Sequence, residues 1–146
     1  MILIVDTNIL FSACISPNNK ISEILFSPLP NLQKVSSPYA IDELLEHKEK
    51  LVRMSKQTIA AVDAVLKDVL KQIEFYSDDL IVKKHWLEAY RLTIGVDSKD
   101  INFVALALQT GGTLWTGDKK LMNHLKKMGF DQVVTTAELY EKIRLK

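Results

Sequence analysis

Ile2, Leu3, Ile4 and Val5 form an unbroken run of leucine and β-branched side chains at the start of the chain. A strand that is apolar on both faces has to be covered on both faces, which marks a central strand of a parallel sheet rather than an edge. Asp6 ends the run, and Ile9, Leu10, Ala13 and Cys14 then recur at helical spacing. The chain therefore opens as a buried strand, an acid, and a helix. In parallel α/β sheets ligands bind beyond the carboxyl ends of the strands, so the position of that acid is of interest from the outset.

The same alternation continues to the end of the chain. Ser16-Pro17-Asn18-Asn19 breaks the first helix, a short second helix covers residues 21–26, and Pro28 and Pro30 close the region. Residues 32–35 read as a weak strand. Ser37 and Pro38 then supply a cap and a first-turn proline for a helix carrying Ile41, Leu44 and Leu45. Ile59, Val62, Val65, Leu66 and Val69 predict an amphipathic helix over residues 55–70. A third strand is expected at 73–76, followed by a helix from the Ser77-Asp78-Asp79 cap towards Leu92, ended by Gly95.

Beyond the polar loop of residues 95–100, Phe103, Val104, Ala107 and Leu108 give the next helix an apolar face, and Gly111-Gly112 stops it. A fourth strand at 114–116, a helix through Leu121, Leu125 and Met128 to Gly129, a strand at 132–134 and a helix capped by Thr136 complete the pattern. Strands alternating with helices argue for a parallel sheet covered on both faces, an α/β fold. At 146 residues and 47% hydrophobic composition, the expected organisation is a single domain, 1–146.

Nineteen basic against eighteen acidic side chains leave a formal charge of +1, so any polyanionic partner has to be argued from local charge. Cys14 is the only cysteine, which excludes an internal disulfide and suits a reducing compartment, with the cytoplasm as the expected location. Asp6 and Asn8 interrupt the first apolar stretch where a signal peptide would be apolar, and no basic residues precede it. No segment approaches the roughly 20 apolar residues of a membrane span.

A second aspartate, Asp118, follows the late strand in Thr113-Leu114-Trp115-Thr116-Gly117-Asp118. Each acid by itself can be a helix cap, the commonest use of aspartate at such a position, and Asp97 and Asp100 can serve the same purpose before the Phe103 helix. Glu43 lies mid-helix beside Leu44 and one turn after Tyr39, at the edge of the apolar stripe. Taken jointly the acids mean more, because right-handed parallel crossovers bring successive strand ends to one edge of the sheet. Clustered carboxylates repel and their pKa values rise, a conflict that a divalent ion removes. Oxygen ligands favour Mg2+ or Mn2+ over zinc, and such ions suit phosphate chemistry.

Several segments, in order along nearly the whole chain, make the sequence resemble a PIN-domain nuclease. They are Val5-Asp6-Thr7-Asn8-Ile9-Leu10, Ser37-Pro38 with Glu43 five residues beyond the proline, Asp100-Ile101-Asn102-Phe103-Val104-Ala105-Leu106-Ala107, and Thr116-Gly117-Asp118-Lys119-Lys120-Leu121. By position, the resemblance makes Asp6, Glu43, Asp100 and Asp118 metal-binding acids, with Asp97 as an extra acid and Asn8 and Thr116 as supporting polar residues. It implies a three-layer α/β/α fold, Mg2+ or Mn2+, and hydrolysis of single-stranded or structured RNA. It also implies a homodimer and, in the VapC-like toxin branch, an antitoxin protein partner. The helices between Glu43 and Asp97 are longer than a minimal toxin needs.

The alternative is a PIN-like RNA-binding or protein-interaction module without turnover, against which stands the presence of all four matching acids. A haloacid-dehalogenase-like phosphatase would need an acid where Asn8 stands, and a phosphoacceptor receiver domain needs an acidic pair after strand one and a lysine where Thr135 stands. His47, one turn after Glu43, lacks the further cysteine or histidine that a zinc site would need. Lys119 and Lys120, with Lys126 and Lys127 nearby, are candidates for holding RNA phosphates, and Lys99 is open to the same reading. His85 and His124 are expected on solvated helix faces, and Trp86 and Trp115 in the core or an interface.

Overall fold

The computed structural model describes residues 1–16 and 19–144. Among them a five-stranded, wholly parallel sheet runs in the order β3-β2-β1-β4-β5. The strands are β1 (Ile2–Val5), β2 (Gln33–Ser36), β3 (Glu74–Phe75), β4 (Thr113–Trp115) and β5 (Val133–Val134). As the apolar run requires, β1 is central: Leu3 pairs with Lys34 on one side and Thr113 on the other, and Leu3, Ile4 and Val5 are buried. The chain winds outward from β1 to β2 and β3, then returns to lay β4 against the other side of β1. The winding reverses between β1 and β4, which makes the carboxyl ends of those two strands the expected ligand crevice.

The helices are α1 (Thr7–Ile15), α2 (Lys20–Leu25), α3 (Tyr39–Glu46), α4 (Lys48–Ser55), α5 (Ile59–Lys71), α6 (Lys83–Thr93), α7 (Ile101–Thr110), α8 (Lys119–Lys127) and α9 (Thr136–Arg144). They bury Leu10, Leu44, Leu51, Val69, Leu106 and Leu125 in one core together with the strands. Ser16 and Asn19 flank the expected break after α1, and Pro17 and Asn18, on which that expectation also rested, lie outside the described residues. Gly111 ends α7 with φ of 70°, a conformation suited to glycine. At Gly112 a Cβ would stand 3.0 Å from the Ile2 carbonyl oxygen, a tighter than ordinary contact, so glycine suits the close entry into β4 beside β1.

Departures from the expected elements have through-space causes. β2 runs on through Ser36, because its hydroxyl donates to the Val5 carbonyl at 2.6 Å and its own carbonyl accepts from the Tyr76 amide at 3.0 Å. Within β2, Lys34 is buried, and its ammonium donates to the Leu25 and Ser27 carbonyls; burial holds its pKa below the ordinary lysine range. The helix expected over 55–70 begins instead at Ile59: Ser55 ends α4, Lys56 takes φ of 58°, and the Thr58 hydroxyl accepts from the Ala61 amide at 3.1 Å.

The helix expected from Ser77 is interrupted. Asp78–Leu80 is a 3-10 turn, Ile81 is extended and buried, and α6 starts only after Val82, whose amide donates to Gln109 of α7 at 3.0 Å. At the last helix the cap is Thr135, which exchanges bonds with Glu138 at 3.1 Å each way; the Thr136 hydroxyl accepts from the Trp115 indole at 3.0 Å. Trp115 is fully buried and Trp86 packs on the core. The two histidines expected on solvated helix faces are half-buried: His85 Nδ1 lies 2.7 Å from Gln109 Oε1, and His124 Nε2 is buried without a partner among the described residues.

Candidate metal centre

Asp6 and Asp118 both act as helix caps, and neither is used up by it. One oxygen of Asp6 accepts from the Ile9 amide at 2.9 Å and one of Asp118 accepts from the Leu121 amide at 3.1 Å. A carboxylate has capacity for several more contacts after giving one lone pair to a cap. Thr116, fully buried at the end of β4, links the two acids: its hydroxyl accepts from the Asp118 amide at 3.1 Å and bonds to the Asp6 side chain.

Asp100 stands at the cap position of α7 but makes no capping bond through its side chain. The local turn is made by Asp97 instead, whose Oδ1 accepts from the Lys99 amide at 3.0 Å and leads into the 3-10 turn Ser98–Asp100. Asp97 is therefore spent on turn geometry while the Asp100 carboxylate is left to the crevice. Glu43, half-buried on α3, accepts from the Thr7 hydroxyl at 2.6 Å, which ties it to the first turn of α1. Thr7 was given no role from sequence, although it lies inside the motif that begins at Val5.

The acids act on one another electrostatically. Burial pushes Asp6 up from its ordinary 3.8 to about 6, with bonds from Thr116 and Ile9 pulling it down and the charges of Asp118 and Glu43 raising it further. Asp100 is pushed up to about 7, first by burial and then by Asp6, Asp97, Asp118 and Glu43. The four acids singled out from sequence thus share one electrostatic neighbourhood. Even so, among the described residues no three His, Cys, Asp or Glu side chains close on a common point as metal ligands do.

A cleft opens over these groups, lined by Asp6, Asn8, Glu43, Asp97 and Asp100 together with Thr7, Phe11 and Phe103. Asp118 lies beyond the lining and reaches the cleft only through its charge, and Lys119 and Lys120 are exposed at the start of α8, also outside it. The basic groups that do line the cleft are His47, Lys50 and Lys99. Sequence reasoning assigned no role to Lys50; its ammonium stands 5.6 Å from the centre of the Phe11 ring, a contact between α1 and α4 that no local pattern announces.

A family model for the PIN domain matches residues 4–136 of this chain, so the chain belongs to the PIN-domain family. Solved structures share the fold. The chain resembles one in the crystal structure of VapBC2 from Rickettsia felis bound to a DNA fragment from its promoter, with 16% identity, a TM-score of 0.71 and coverage of 92% of this chain and 98% of that one. It is also similar to PAE2754 of Pyrobaculum aerophilum, at 18% identity and a TM-score of 0.69 over 99% of this chain and 90% of that one. VapBC-1 of nontypeable Haemophilus influenzae matches at 17% identity with a TM-score of 0.68, over 94% of this chain and 99% of that one. No curated protein sequence matches the chain.

Proposed function

We propose that this protein is an endoribonuclease of the cytoplasm that hydrolyses RNA phosphodiesters with Mg2+ or Mn2+ held by Asp6, Glu43, Asp100 and Asp118. The observation that carries the reading is the meeting of Asp6, Glu43 and Asp100 in one cleft at the β1–β4 switch point of a PIN-family chain, where burial and neighbouring acids raise Asp6 to about 6 and Asp100 to about 7. Two carboxyls held this far up by burial and by neighbouring acids form an all-oxygen donor set whose charge a hard divalent cation relieves. When bound, the ion would supply charge neutralisation at the phosphate and activation of water. The chain's own part is to hold the acids: Ile9 and Thr116 orient Asp6, Thr7 orients Glu43, and Leu121 orients Asp118. Asn8 lines the cleft as a further polar support, and Asp97 is placed at its rim, shaping the turn before Asp100.

The test is an RNA-cleavage assay with manganese, with magnesium and with chelator. Cleavage that requires the divalent ion is the expected result; cleavage undiminished by chelator, or none under any condition, defeats the reading.

The RNA path is assigned by charge. Lys119 and Lys120 flank the Asp118 cap, and Lys50 and Lys99 line the cleft without forming a salt bridge among the described residues. Replacing Lys119 and Lys120 together by alanine is expected to weaken RNA binding and flatten its salt dependence by roughly 0.7 per lost contact on a single strand, with metal affinity little changed. Unchanged affinity and slope in a binding titration would place the strand along Lys50 and Lys99 alone.

Protein partners follow from the same reading. Likeness in fold to chains of VapBC assemblies supports an antitoxin protein as a partner, and with it a toxin role. Leu87 and Tyr90 of α6 and Ile94, the residue that ends it, are each more than half exposed, an apolar patch suited to a second copy of the chain. Sedimentation is expected to show a dimer that Tyr90→Lys dissociates; a monomer at all concentrations removes the homodimer. Among the described residues no helix is long and apolar enough to cross a membrane.

A further inference from the structure

We infer that Asp78 is a positioning residue that sets the separation of Glu43 and Asp100 by tying the segment that leads into α3 to the first turn of α7. The inference rests on the nuclease reading of the cleft. Asp78 follows β3 on the same sheet edge as the other acids, yet it is not among the charges acting on Asp6, which are Asp118 and Glu43, or on Asp100, which are Asp6, Asp97, Asp118 and Glu43. Its carboxylate is committed elsewhere. Oδ1 accepts from the Ser37 hydroxyl and Oδ2 from the Asn102 amide, both at 3.1 Å, across sequence separations of 41 and 24 residues.

Both partners are attached to the acids in question. Ser37 is fully buried, and its oxygen also accepts from the amide of Tyr39, the first residue of α3, at 3.2 Å. Glu43 lies on that helix. Asn102 is the second residue of α7, two positions after Asp100. The two helices are otherwise held by different neighbours: α3 packs mainly on α1 and α4, and α7 mainly on α6, β1 and β4. Asp78 is thus a polar bridge, through Ser37 on one side and Asn102 on the other, between the helix that carries Glu43 and the one that Asp100 opens. The cap of its own 3-10 turn is left to Ser77, which accepts from the Asp79 amide at 3.3 Å.

Groups that orient metal-binding side chains typically cost about 10–100-fold in metal affinity or activity when removed. Asp78→Ala is therefore expected to lower kcat on RNA by about 10–100-fold, with a smaller change in KM, and to weaken Mn2+ binding by about tenfold in calorimetry. Asp78→Asn separates geometry from charge. Its amide oxygen can accept from Ser37 while its NH2 donates to Asn102 turned about its own amide, so both links survive. That variant is expected to keep Mn2+ affinity and kcat within about threefold of the unmodified protein, well inside the loss expected when the bridge is removed. Should Asp78→Ala fail to fold, Asn102→Ala removes one arm of the bridge and is expected to move both readouts in the same direction.

An unmodified rate and Mn2+ affinity in Asp78→Ala would overturn the inference and leave the nuclease reading standing. Equal losses in Asp78→Asn and Asp78→Ala would also overturn it, by showing that the charge and not the bridge matters. An unmodified protein that neither cleaves RNA nor binds Mn2+ overturns the nuclease reading and this inference together.

Discussion

Asp6→Asn is expected to reduce RNA cleavage by at least about a hundredfold in a protein that stays folded, a loss of the size seen when a preorganised electrostatic group is removed. The substitution keeps side-chain volume and the oxygen that accepts from the Ile9 amide, and asparagine caps helices about as well as aspartate. What it removes is a negative charge, 4% exposed, that burial already penalises. Metal-free stability should therefore rise, while the stabilisation given by manganese should shrink, because mass action on the folded state follows affinity. Cleavage kinetics and thermal denaturation with and without manganese read the two effects. Normal turnover by Asp6→Asn removes Asp6 from the site. Asp97→Asn is expected to cost less than Asp100→Asn, since Asp97 is exposed and holds the Lys99 amide while Asp100 faces the other acids.

Without metal, the protein is expected to lose stability as pH rises from about 4 to about 7. Asp6 and Asp100 have ordinary pKa values of 3.8 and are held at about 6 and about 7 in the folded chain. Below the ordinary value both states carry the protons. Through the interval the folded state retains protons that the unfolded state has released, so unfolding becomes easier with each step in pH, and above the folded values the penalty is complete. Each pKa unit corresponds to about 1.4 kcal/mol, so the two carboxyls together are worth a few kcal/mol, part of the Asp100 shift being due to Asp6. A chain of this size should show a fall in Tm on the order of 10 °C.

Manganese should offset that fall, and its effect should grow with pH, because the ligands bind the ion only when deprotonated. Thermal denaturation between pH 4 and 8 in chelator and in manganese makes the comparison. A metal-free Tm that stays level or rises over this interval contradicts the burial of these acids, and a manganese effect independent of pH contradicts their role as ligands.

Much of the architecture was legible in local pattern. The unbroken apolar run at Ile2, Leu3, Ile4 and Val5 requires cover on both faces, and β1 is the central strand. The alternation of strands and helices implies parallel crossovers, and these carry Asp6 and Asp118 to the ends of adjacent strands, β1 and β4. Periodicity and glycine located α7 and its end at Gly111, because helical spacing and a left-handed cap are properties of a few consecutive residues.

Tertiary structure decided whatever depends on a partner far along the chain. By sequence Asp78 belongs to the Ser77-Asp78-Asp79 cap of a helix, whereas in the fold it bonds Ser37 and Asn102, and the Val82 amide that precedes α6 is satisfied by Gln109 rather than by a neighbour in sequence. Lys34 is tolerated inside the sheet because carbonyls at the end of α2 receive its ammonium. Lys50 and His47 border the cleft, while Lys119 and Lys120, closer in sequence to an acid of the motif, do not. Sequence spacing dictates the period of an element and the residue types on its faces. Which face meets which, and hence which polar group is satisfied and which charge is left facing the acids, is set by packing across separations of tens of residues.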